Sequence, residues 1–298
     1  MPINNNLYQK KFPMKMYSGE KATTEFVSHL GAIDVKLLSA PALSHLKEYI
    51  PQFALATWEA RPTAYTPKEQ DQAIVDLFAG KLLPGAMETI SLVFQISNID
   101  LVDVTHLIRH RTMTFSAHCT GDRDQRHDAC LVKPSIENSD FMSRYTQIVE
   151  DAKDLYADMA DSGDISILDA RTILPRSMEN HYYAKCNLKD LIHYLHQRLD
   201  RQIQPESDNI LAMRILIETC KVYPLLKKQF DLDRPDAWYV KTAPTDHSSN
   251  LYMPEKPRND VFEYMKQWFV YPKQRSEMSG GQVFMNLWKE LREEYDAI

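Results

Sequence analysis

The chain has 298 residues, of which 44% are hydrophobic and 26% charged, and its formal net charge is −6 at pH 7. Such a composition is ordinary for a globular protein with a large core, and the acidic balance argues against a surface built for nucleic acid or an anionic membrane. No apolar run approaches the ~20 residues of a membrane span, and the N-terminal sequence lacks the apolar core of a signal peptide. We therefore expect a cytoplasmic protein.

Cysteine and glycine usage narrows the class further. The four cysteines, Cys119, Cys130, Cys186 and Cys220, are irregularly spaced, which suits a reducing compartment better than a disulfide scaffold. Only eight glycines occur, and none forms GxGxxG or GxxxxGK[ST]. A nucleotide or dinucleotide would therefore be bound without a Rossmann turn or a P-loop.

In the first half of the chain, residues 68–83 have the pattern of a short amphipathic helix. Ile90, Leu92, Phe94 and Ile96 alternate with smaller or polar residues, which predicts a strand. Residues 98–100 can turn and cap, and residues 101–111 are predicted to continue as a helix.

The second half is strongly helical. Helices are predicted over 144–163, closed by Gly163, over 166–174, stopped by Pro175, and over 188–203 and 208–223, the latter ended by Pro224. The helix over 188–203 carries one apolar face, formed by Leu188, Leu191, Ile192, Leu195, Leu199 and Ile203. The last seventy residues show no clear period and are interpreted as a wrapping extension. We expect an α+β fold with one small central sheet and several long helices.

One short stretch concentrates positive charge in this acidic chain. The basic residues within nineteen positions are Arg109, His110, Arg111, His118, Arg123, Arg126 and His127. Arginine is always charged and binds phosphate bidentately, and backbone near glycine allows a phosphate to approach closely. This basic island predicts a site for anionic groups.

The stretch RHRTMTFSAHCTGDR (109–123) resembles the signature of flavin-dependent thymidylate synthases, in which RHR is followed by a hydroxyl residue and glycine. A second block, residues 170–206, is similar to the pattern A-R-x-x-L-P, N-x-[RK]-x-L and R-x-D-x-x-x-Q-x-E of that family. Two blocks in the same order and spacing carry the resemblance over residues 85–225. It divides the chain into an N-terminal region of the catalytic domain (1–84), a core (85–225) and a C-terminal extension (226–298).

The resemblance implies the family's fold, a homotetramer and a role for each matched residue. Implied flavin contacts are Glu88, Arg109, His110, Arg111, Asn187 and Lys189. Implied nucleotide contacts are Arg109, Thr120, Gly121, Arg123, Arg171 and Arg198, with Arg198 as the catalytic residue that polarises the pyrimidine. The implied ligands are FAD, methylenetetrahydrofolate as co-substrate, NADPH as reductant, and dUMP or a related pyrimidine nucleotide; neither nucleic acid nor a metal is expected.

The chemistry of methylating a pyrimidine supports the same site. To be methylated, C5 of a uracil ring must become electron-rich, and one route adds a cysteine thiolate at C6, usually in a Pro-Cys-His context. None of the four cysteines has that context. The other route polarises the ring with fixed cations and takes hydride from a reduced flavin.

The sequence departs from the family pattern at two places. Where the family shows H-E-x-x-x-x-E-H, this chain has LLPGAMET (82–89), with Leu82 and Thr89 at the histidine positions. The usual S-G-R-Y is replaced by TGDRD (120–124). Three alternatives therefore stand: a thymidylate synthase, a flavin-dependent hydroxymethylase of dUMP or another pyrimidine nucleotide, as in viruses with modified bases, and a non-catalytic relative.

Plainer interpretations also exist for the same residues. The RHR triplet can be a solvated helix end, and Arg198 beside an apolar stripe can be a surface arginine whose stem lies on the core. A zinc set would consist of His118, Cys119, His127 and Cys130, although its spacing is uncommon for zinc. The second sequence block favours the flavin site over the first two of these.

Overall fold

A computed structural model describes residues 19–56, 65–117, 123–201, 206–233 and 280–298. In chain order the elements are β1 (Phe26–Ser28), α1 (His29–Ala32), β2 (Asp34–Ser39), α2 (Leu43–Leu55), α3 (Pro67–Phe78), α4 (Gly85–Glu88), β3 (Ser91–Ile99), α5 (Leu101–Leu107), β4 (Thr114–Ala117), β5 (Cys130–Val132), α6 (Pro134–Glu137), α7 (Met142–Asp161), α8 (Ile167–Ala170), a 3-10 turn (Arg171–Ile173), β6 (Asn180–Asn187), α9 (Leu188–Arg198), α10 (Glu206–Val222), a second 3-10 turn (Pro224–Gln229) and α11 (Gly281–Ala297). This confirms an α+β architecture.

The main sheet is antiparallel, with strand order β2-β3-β6-β4. Strand β3 lies between β2 and β6, and the four apolar residues predicted to alternate, Ile90, Leu92, Phe94 and Ile96, are all fully buried. On the opposite face Tyr183 and Lys185 of β6 are exposed. One covered and one open face is the pattern expected of an antiparallel sheet.

Helix α10 forms the centre of the hydrophobic core. Twelve of its 17 residues are buried, because it packs against β2, α9 and α11. The predicted helix over 208–223 is thus confirmed, and the helix over 144–163 corresponds to α7, with Gly163 in the left-handed conformation at φ +76°.

Three sequence predictions need correction. The helix predicted over 101–111 ends at Leu107, so the RHR triplet lies in the turn before β4. The helix predicted over 188–203 ends at Arg198, and residues 202–205 lie outside the described part. The last seventy residues contain helix α11, which buries one face against the core through Phe284, Trp288, Leu291 and Tyr295.

A second, smaller unit packs around α7. Strands β1 and β5 pair in parallel, and the fully buried Lys153 of α7 donates to the backbone carbonyls of Thr23 and Asp128, at 2.6 Å each. The guanidinium of Arg126 is likewise buried and is held by Asp124 and Asp161. These contacts fix the segment that leads out of the basic island onto α7. Among the described helices, none is both long and apolar enough to cross a membrane.

Candidate active site

Arg198 is the last residue of α9, and its side chain is only 9% exposed. Its Nε donates to Nε2 of His110 at 3.1 Å, Nη1 donates to Asp208 Oδ2 at 3.1 Å, and Nη2 donates to the carbonyl of His106 at 3.0 Å. The guanidinium is therefore fixed in plane and direction by three partners on three elements. The interpretation of Arg198 as a surface arginine is wrong.

His110 is held neutral beside this cation. Burial, the charge of Arg198 and the neighbouring His193 together lower the pKa of His110 to about 4. Because Nε2 accepts the Arg198 hydrogen bond, the proton of the neutral ring lies on Nδ1. The ring also packs edge-on against Tyr194, with 4.8 Å between ring centroids. The basic island thus contributes a neutral ring at this point, and the positive charge beside it is that of Arg198 on α9.

Sequence reasoning missed the residues that hold Arg198. Asp208, 1% exposed, also accepts from Nδ1 of His106 at 2.8 Å. Asn209 donates to the backbone carbonyls of Arg198 and Asp200, at 2.7 and 3.2 Å. A signal for them exists, because Ser207, Asp208 and Asn209 are consecutive polar residues directly before the apolar run of residues 210–213.

Asn187 and Lys189 lie together where β6 turns into α9. Asn187 caps this helix: its Oδ1 accepts from Asp190 N at 2.9 Å, and its Nδ2 donates to the Asp190 carboxylate at 2.7 Å. Lys189, the second residue of the helix, places Nζ 2.5 Å from Oε1 of Glu88 on α4. The structure thus brings Glu88, Asn187 and Lys189, three of the predicted flavin contacts, to one end of the inner strands β3 and β6.

An open cleft of about 540 Å³ adjoins this end of the sheet. Its lining residues are Phe53, Ala54, Ala56, Leu83, Pro84, Gly85 and Lys189. Clefts of this size, mostly apolar with one charged group, are typical of small-molecule sites. Lys189 therefore belongs both to the predicted flavin contacts and to the cleft.

Arg109 and Arg111 flank His110 in the turn and are exposed. The turn is closed by hydrogen bonds from His110 N to the Leu107 carbonyl, 3.2 Å, and from Met113 N to the His110 carbonyl, 3.0 Å. His110 consequently points inward while both arginines reach solvent. This arrangement can present two cations to an anionic group without burying either.

Arg123 and Arg171, two of the predicted nucleotide-phosphate residues, lie in the unit around α7. Thr120 and Gly121 lie outside the described residues. Arg123 pairs with the carboxylate of Asp128, whose pKa is raised by burial although Arg123 opposes that shift. Nε of Arg123 is buried and has no hydrogen-bond partner among the described residues. Arg171, in the 3-10 turn that packs on α7, donates through Nε to the Leu168 carbonyl at 3.2 Å.

The described cysteines are poor nucleophiles. Cys130, Cys186 and Cys220 are at most 1% exposed. Burial raises the pKa of all three thiols, to about 12 for Cys186 and Cys220. Since the thiolate is the reactive form, none of the three is prepared for attack on a pyrimidine. Cys119 lies outside the described residues.

Two groups of side chains bear on metal binding. Of the possible zinc set, His118 and Cys119 lie outside the described residues, His127 contacts Thr23 Oγ1 at 2.9 Å, and Cys130 lies buried against Met178. A separate buried cluster joins His29, Asp100 and Asp103, with the latter two contacted by the Lys133 ammonium at 2.8 and 3.7 Å. The contact with His29, whose Nε2 lies 2.9 Å from Asp103 Oδ2, and the charge of Lys133 hold the pKa of Asp103 below its usual range despite burial.

Comparisons with known proteins agree with this architecture. A flavin-dependent thymidylate synthase from Nitratidesulfovibrio vulgaris (strain Hildenborough) is 23% identical over 162 residues, which cover 52% of this chain and 66% of that relative. This chain therefore matches slightly less than two thirds of the relative's length.

Solved structures share the fold. The UMP/dUMP methylase PolB from Streptomyces cacaoi, bound with 5-Br dUMP, superimposes with a TM-score of 0.55 and 22% identity, covering 68% of this chain and 94% of that one. Its complex with 5-Br UMP gives the same TM-score and coverage at 21% identity. At such identities the likeness concerns the fold.

A sequence model of one family spans most of the region that builds the site. It matches residues 46–225, starting 39 residues before the N-terminal limit of 85 drawn from the two sequence blocks. This span includes α2 and α4 at the cleft as well as Arg198 and Asp208. The chain belongs to the thymidylate synthase complementing protein family.

Proposed function

We propose that the protein methylates C5 of dUMP, with methylenetetrahydrofolate as one-carbon donor, FAD as cofactor and NADPH as reductant. The observation that carries the proposal is the buried Arg198 guanidinium, fixed by Asp208 and the His106 carbonyl beside a neutral His110. In a chain of this family, such a group is suited to stabilise negative charge on a pyrimidine ring.

The residues near the cleft fit a flavin dinucleotide. The apolar lining can accept a flat ring. The cations Arg109, Arg111 and Lys189, at or near the same end of the sheet, can bind a diphosphate. Bound and reduced, FAD supplies the hydride that completes a methyl group. Asn187 and Glu88 position Lys189 through the helix cap and the ion pair.

Arg198 would act on the nucleotide base. The pyrimidine gains negative charge on its N1–O2 side as C5 becomes nucleophilic, and a guanidinium already held in place stabilises that charge without reorganising. Keeping His110 neutral removes a second charge that would repel Arg198 and alter its position. The raised thiol pKa values of the described cysteines support activation without covalent attack at C6.

Arg123 and Arg171 would bind the nucleotide phosphate. Arg123 has a buried Nε without a partner among the described residues, and a buried donor of this kind costs about 1–3 kcal/mol unless a ligand or water satisfies it. A phosphate oxygen is a suitable acceptor. Both arginines belong to the unit around α7, whereas Arg198 belongs to the main-sheet unit, and we propose that a homotetramer completes the site.

A hydroxymethyl product is the second candidate, favoured by the two missing histidines. Leu82 packs against the core instead, and the Thr89 hydroxyl donates to the Ala86 carbonyl at 2.7 Å and contacts Tyr49 OH at 3.1 Å. Neither side chain can act as a histidine acid or base. The methylene carbon bound to C5 would then take up the oxygen of water, with loss of a proton, instead of hydride.

A product assay separates these functions. Purified protein is incubated with dUMP, methylenetetrahydrofolate, FAD and NADPH, and the nucleotide is identified by mass. A methyl product supports the proposal, and a hydroxymethyl product supports the second candidate. Unchanged dUMP together with no flavin binding would leave only the third alternative, a non-catalytic relative. Omitting FAD is the control, because a cysteine-based methylase would not need it.

A further inference from the structure

His106 and Asp208 form a histidine–carboxylate pair beside the proposed catalytic arginine. Nδ1 of His106, in the last turn of α5, lies 2.8 Å from Asp208 Oδ2. The Asp208 side chain is 2% exposed and that of His106 is 21% exposed. Because a carboxylate can only accept, the proton of a neutral His106 ring lies on Nδ1. The other ring nitrogen, Nε2, then carries a lone pair, and it makes no hydrogen bond within the described part of the chain.

The same carboxylate oxygen joins this histidine to Arg198. Asp208 Oδ2 accepts from Arg198 Nη1 at 3.1 Å and also contacts His106, so the imidazole and the guanidinium meet on one atom. The His106 carbonyl accepts from Arg198 Nη2 at 3.0 Å. Of these three side chains that of His106 is the most exposed, since the Arg198 side chain is 9% exposed. A pyrimidine bound against the guanidinium would therefore lie beside the His106 ring.

The proposed reaction needs a base at this place. C5 of dUMP carries one hydrogen, which must leave as a proton whether the product is a methyl or a hydroxymethyl nucleotide. Arg198 cannot accept a proton, and Nε2 of His110 is occupied by the hydrogen bond from Arg198. Leu82 and Thr89 stand where the family pattern has histidines. Of the two histidines bonded to Arg198, only His106 thus has a ring nitrogen open to accept.

We propose that His106 is the general base that takes the C5 proton of the pyrimidine nucleotide, with Asp208 as the carboxylate that orients it. This inference rests on the proposed function and assigns a further catalytic residue to it. Once C5 has bonded to the one-carbon unit from methylenetetrahydrofolate, it still bears its hydrogen. The C5–H bond then breaks, the proton passes to His106 Nε2, and the electron pair of that bond restores the double bond between C5 and C6.

Asp208 would serve His106 as a buried carboxylate serves the histidine of a catalytic triad. It fixes the tautomer through Nδ1 and stabilises the imidazolium that forms when Nε2 takes the proton. The ring is partly exposed, so the proton can pass on to water before the next turnover.

His106→Asn separates the base from the structural contact. The asparagine Nδ2 can take the place of imidazole Nδ1 and still donate to Asp208, but an amide has no basic nitrogen. The kcat for dUMP should therefore fall about a hundred- to ten-thousand-fold, while KM and flavin absorbance stay close to wild type. His45→Asn, the same change at an exposed position of α2, is the matched control and should keep the wild-type kcat. Circular dichroism checks folding, and His106→Gln replaces the asparagine variant if that variant does not fold.

Two further measurements show which step the change slows. The rate ratio between dUMP with hydrogen and with deuterium at C5 should be larger in His106→Asn than in wild type, because cleavage of the C5–H bond becomes slower. His106→Ala leaves room for a soluble base, so added imidazoles should restore part of its turnover. The restored rate should increase with the basicity of the imidazole, a dependence that a structural role would not produce.

The outcomes distinguish the base from the proposed function. A His106→Asn variant with the wild-type kcat, or with a raised KM and an unchanged kcat, would show that His106 only positions Arg198 or the nucleotide. A slow His106→Asn variant with the wild-type isotope effect would overturn the base as well, because another step would then be slowed. Each of these results leaves a working wild type and therefore the proposed function intact. A folded, flavin-loaded wild type that leaves dUMP unchanged would overturn both.

Discussion

Replacing Arg198 tests the proposed mechanism most directly. Arg198→Ala removes a guanidinium that makes three hydrogen bonds, to His110, Asp208 and the His106 carbonyl. A fixed cation at a developing charge typically contributes about 3 kcal/mol, so turnover of dUMP should fall about a hundredfold or more. Arg198→Lys keeps the charge but cannot donate in three fixed directions, and it should recover only part of the activity.

Stability must be separated from chemistry in this experiment. Asp208 is 1% exposed, and removing the partner of a buried ion typically costs about 3–5 kcal/mol. Because His106 still donates to Asp208, we expect the lower end of that range. Release of the C5 hydrogen from labelled dUMP measures turnover, while flavin absorbance and sedimentation should show that FAD and the assembly are retained.

Cysteine variants provide the matched controls. With a pKa of about 12, about one thiol in ten thousand is ionised at pH 8 for Cys186 or Cys220, too few for efficient attack. Single changes of Cys119, Cys130, Cys186 or Cys220 to Ala should therefore leave substantial turnover. An indispensable cysteine combined with a nearly silent Arg198→Ala would show covalent activation at C6 and refute the reasoning.

Three further predictions concern pH, cofactor affinity and stability. The folded-state pKa of His110, about 4, is below its unfolded value of 6.5, so the unfolded chain takes the proton first and folding stability falls as pH drops from 6.5 to 4. This loss is about 3 kcal/mol. In urea unfolding at pH 7 and pH 4.5, the free energy of unfolding of His110→Gln should therefore fall less between the two pH values than that of the wild type, and an equal fall would contradict the assignment. Lys189→Ala should weaken FAD binding measured by fluorescence titration, while Glu88→Ala should change the free energy of unfolding by less than about 1 kcal/mol, since the pair is exposed; unchanged FAD affinity in Lys189→Ala would remove this residue from the site. Lys153→Met leaves the buried carbonyl of Asp128 and the partly buried carbonyl of Thr23 without their donor and should destabilise the protein by about 2–4 kcal/mol, seen as a lower midpoint of thermal unfolding; an unchanged midpoint would show that water replaces the ammonium.

Periodicity predicted the elements whose burial is regular. Strand β3 could be predicted because each second residue from Ile90 to Ile96 meets the core. Helix α11 has an equally regular face, with Phe284, Trp288, Leu291 and Tyr295 at helical spacing, yet it was absorbed into a presumed irregular extension. A regular 17-residue face thus identifies a helix even where the surrounding composition shows no period.

Candidate site residues could be predicted from the sequence where they belong to a motif. Their partners on other helices could not, because those contacts depend on how the helices pack. The RHR triplet predicts a role for His110. It does not predict that helix α5 ends at Leu107, which is why the His110 ring points into the protein. The second sequence block predicts a role for Arg198, whereas its pairing with Asp208 could not be predicted because that pairing depends on how α10 packs on α9. A polar residue in a buried helix gains meaning only when the neighbouring helix shows what it binds.

The position of Arg198 resolves a conflict between burial and charge. A cation stabilises a developing anion best when water is excluded, but a buried cation must itself be compensated. Asp208 supplies that compensation while also binding His106, so its negative charge is shared between two donors. The C-terminal end of α9, where Arg198 stands, adds a partial negative charge. Because His110 stays neutral, a second cation does not oppose Arg198. The hydrogen bonds to His110, Asp208 and the His106 carbonyl hold the guanidinium in place for the nucleotide.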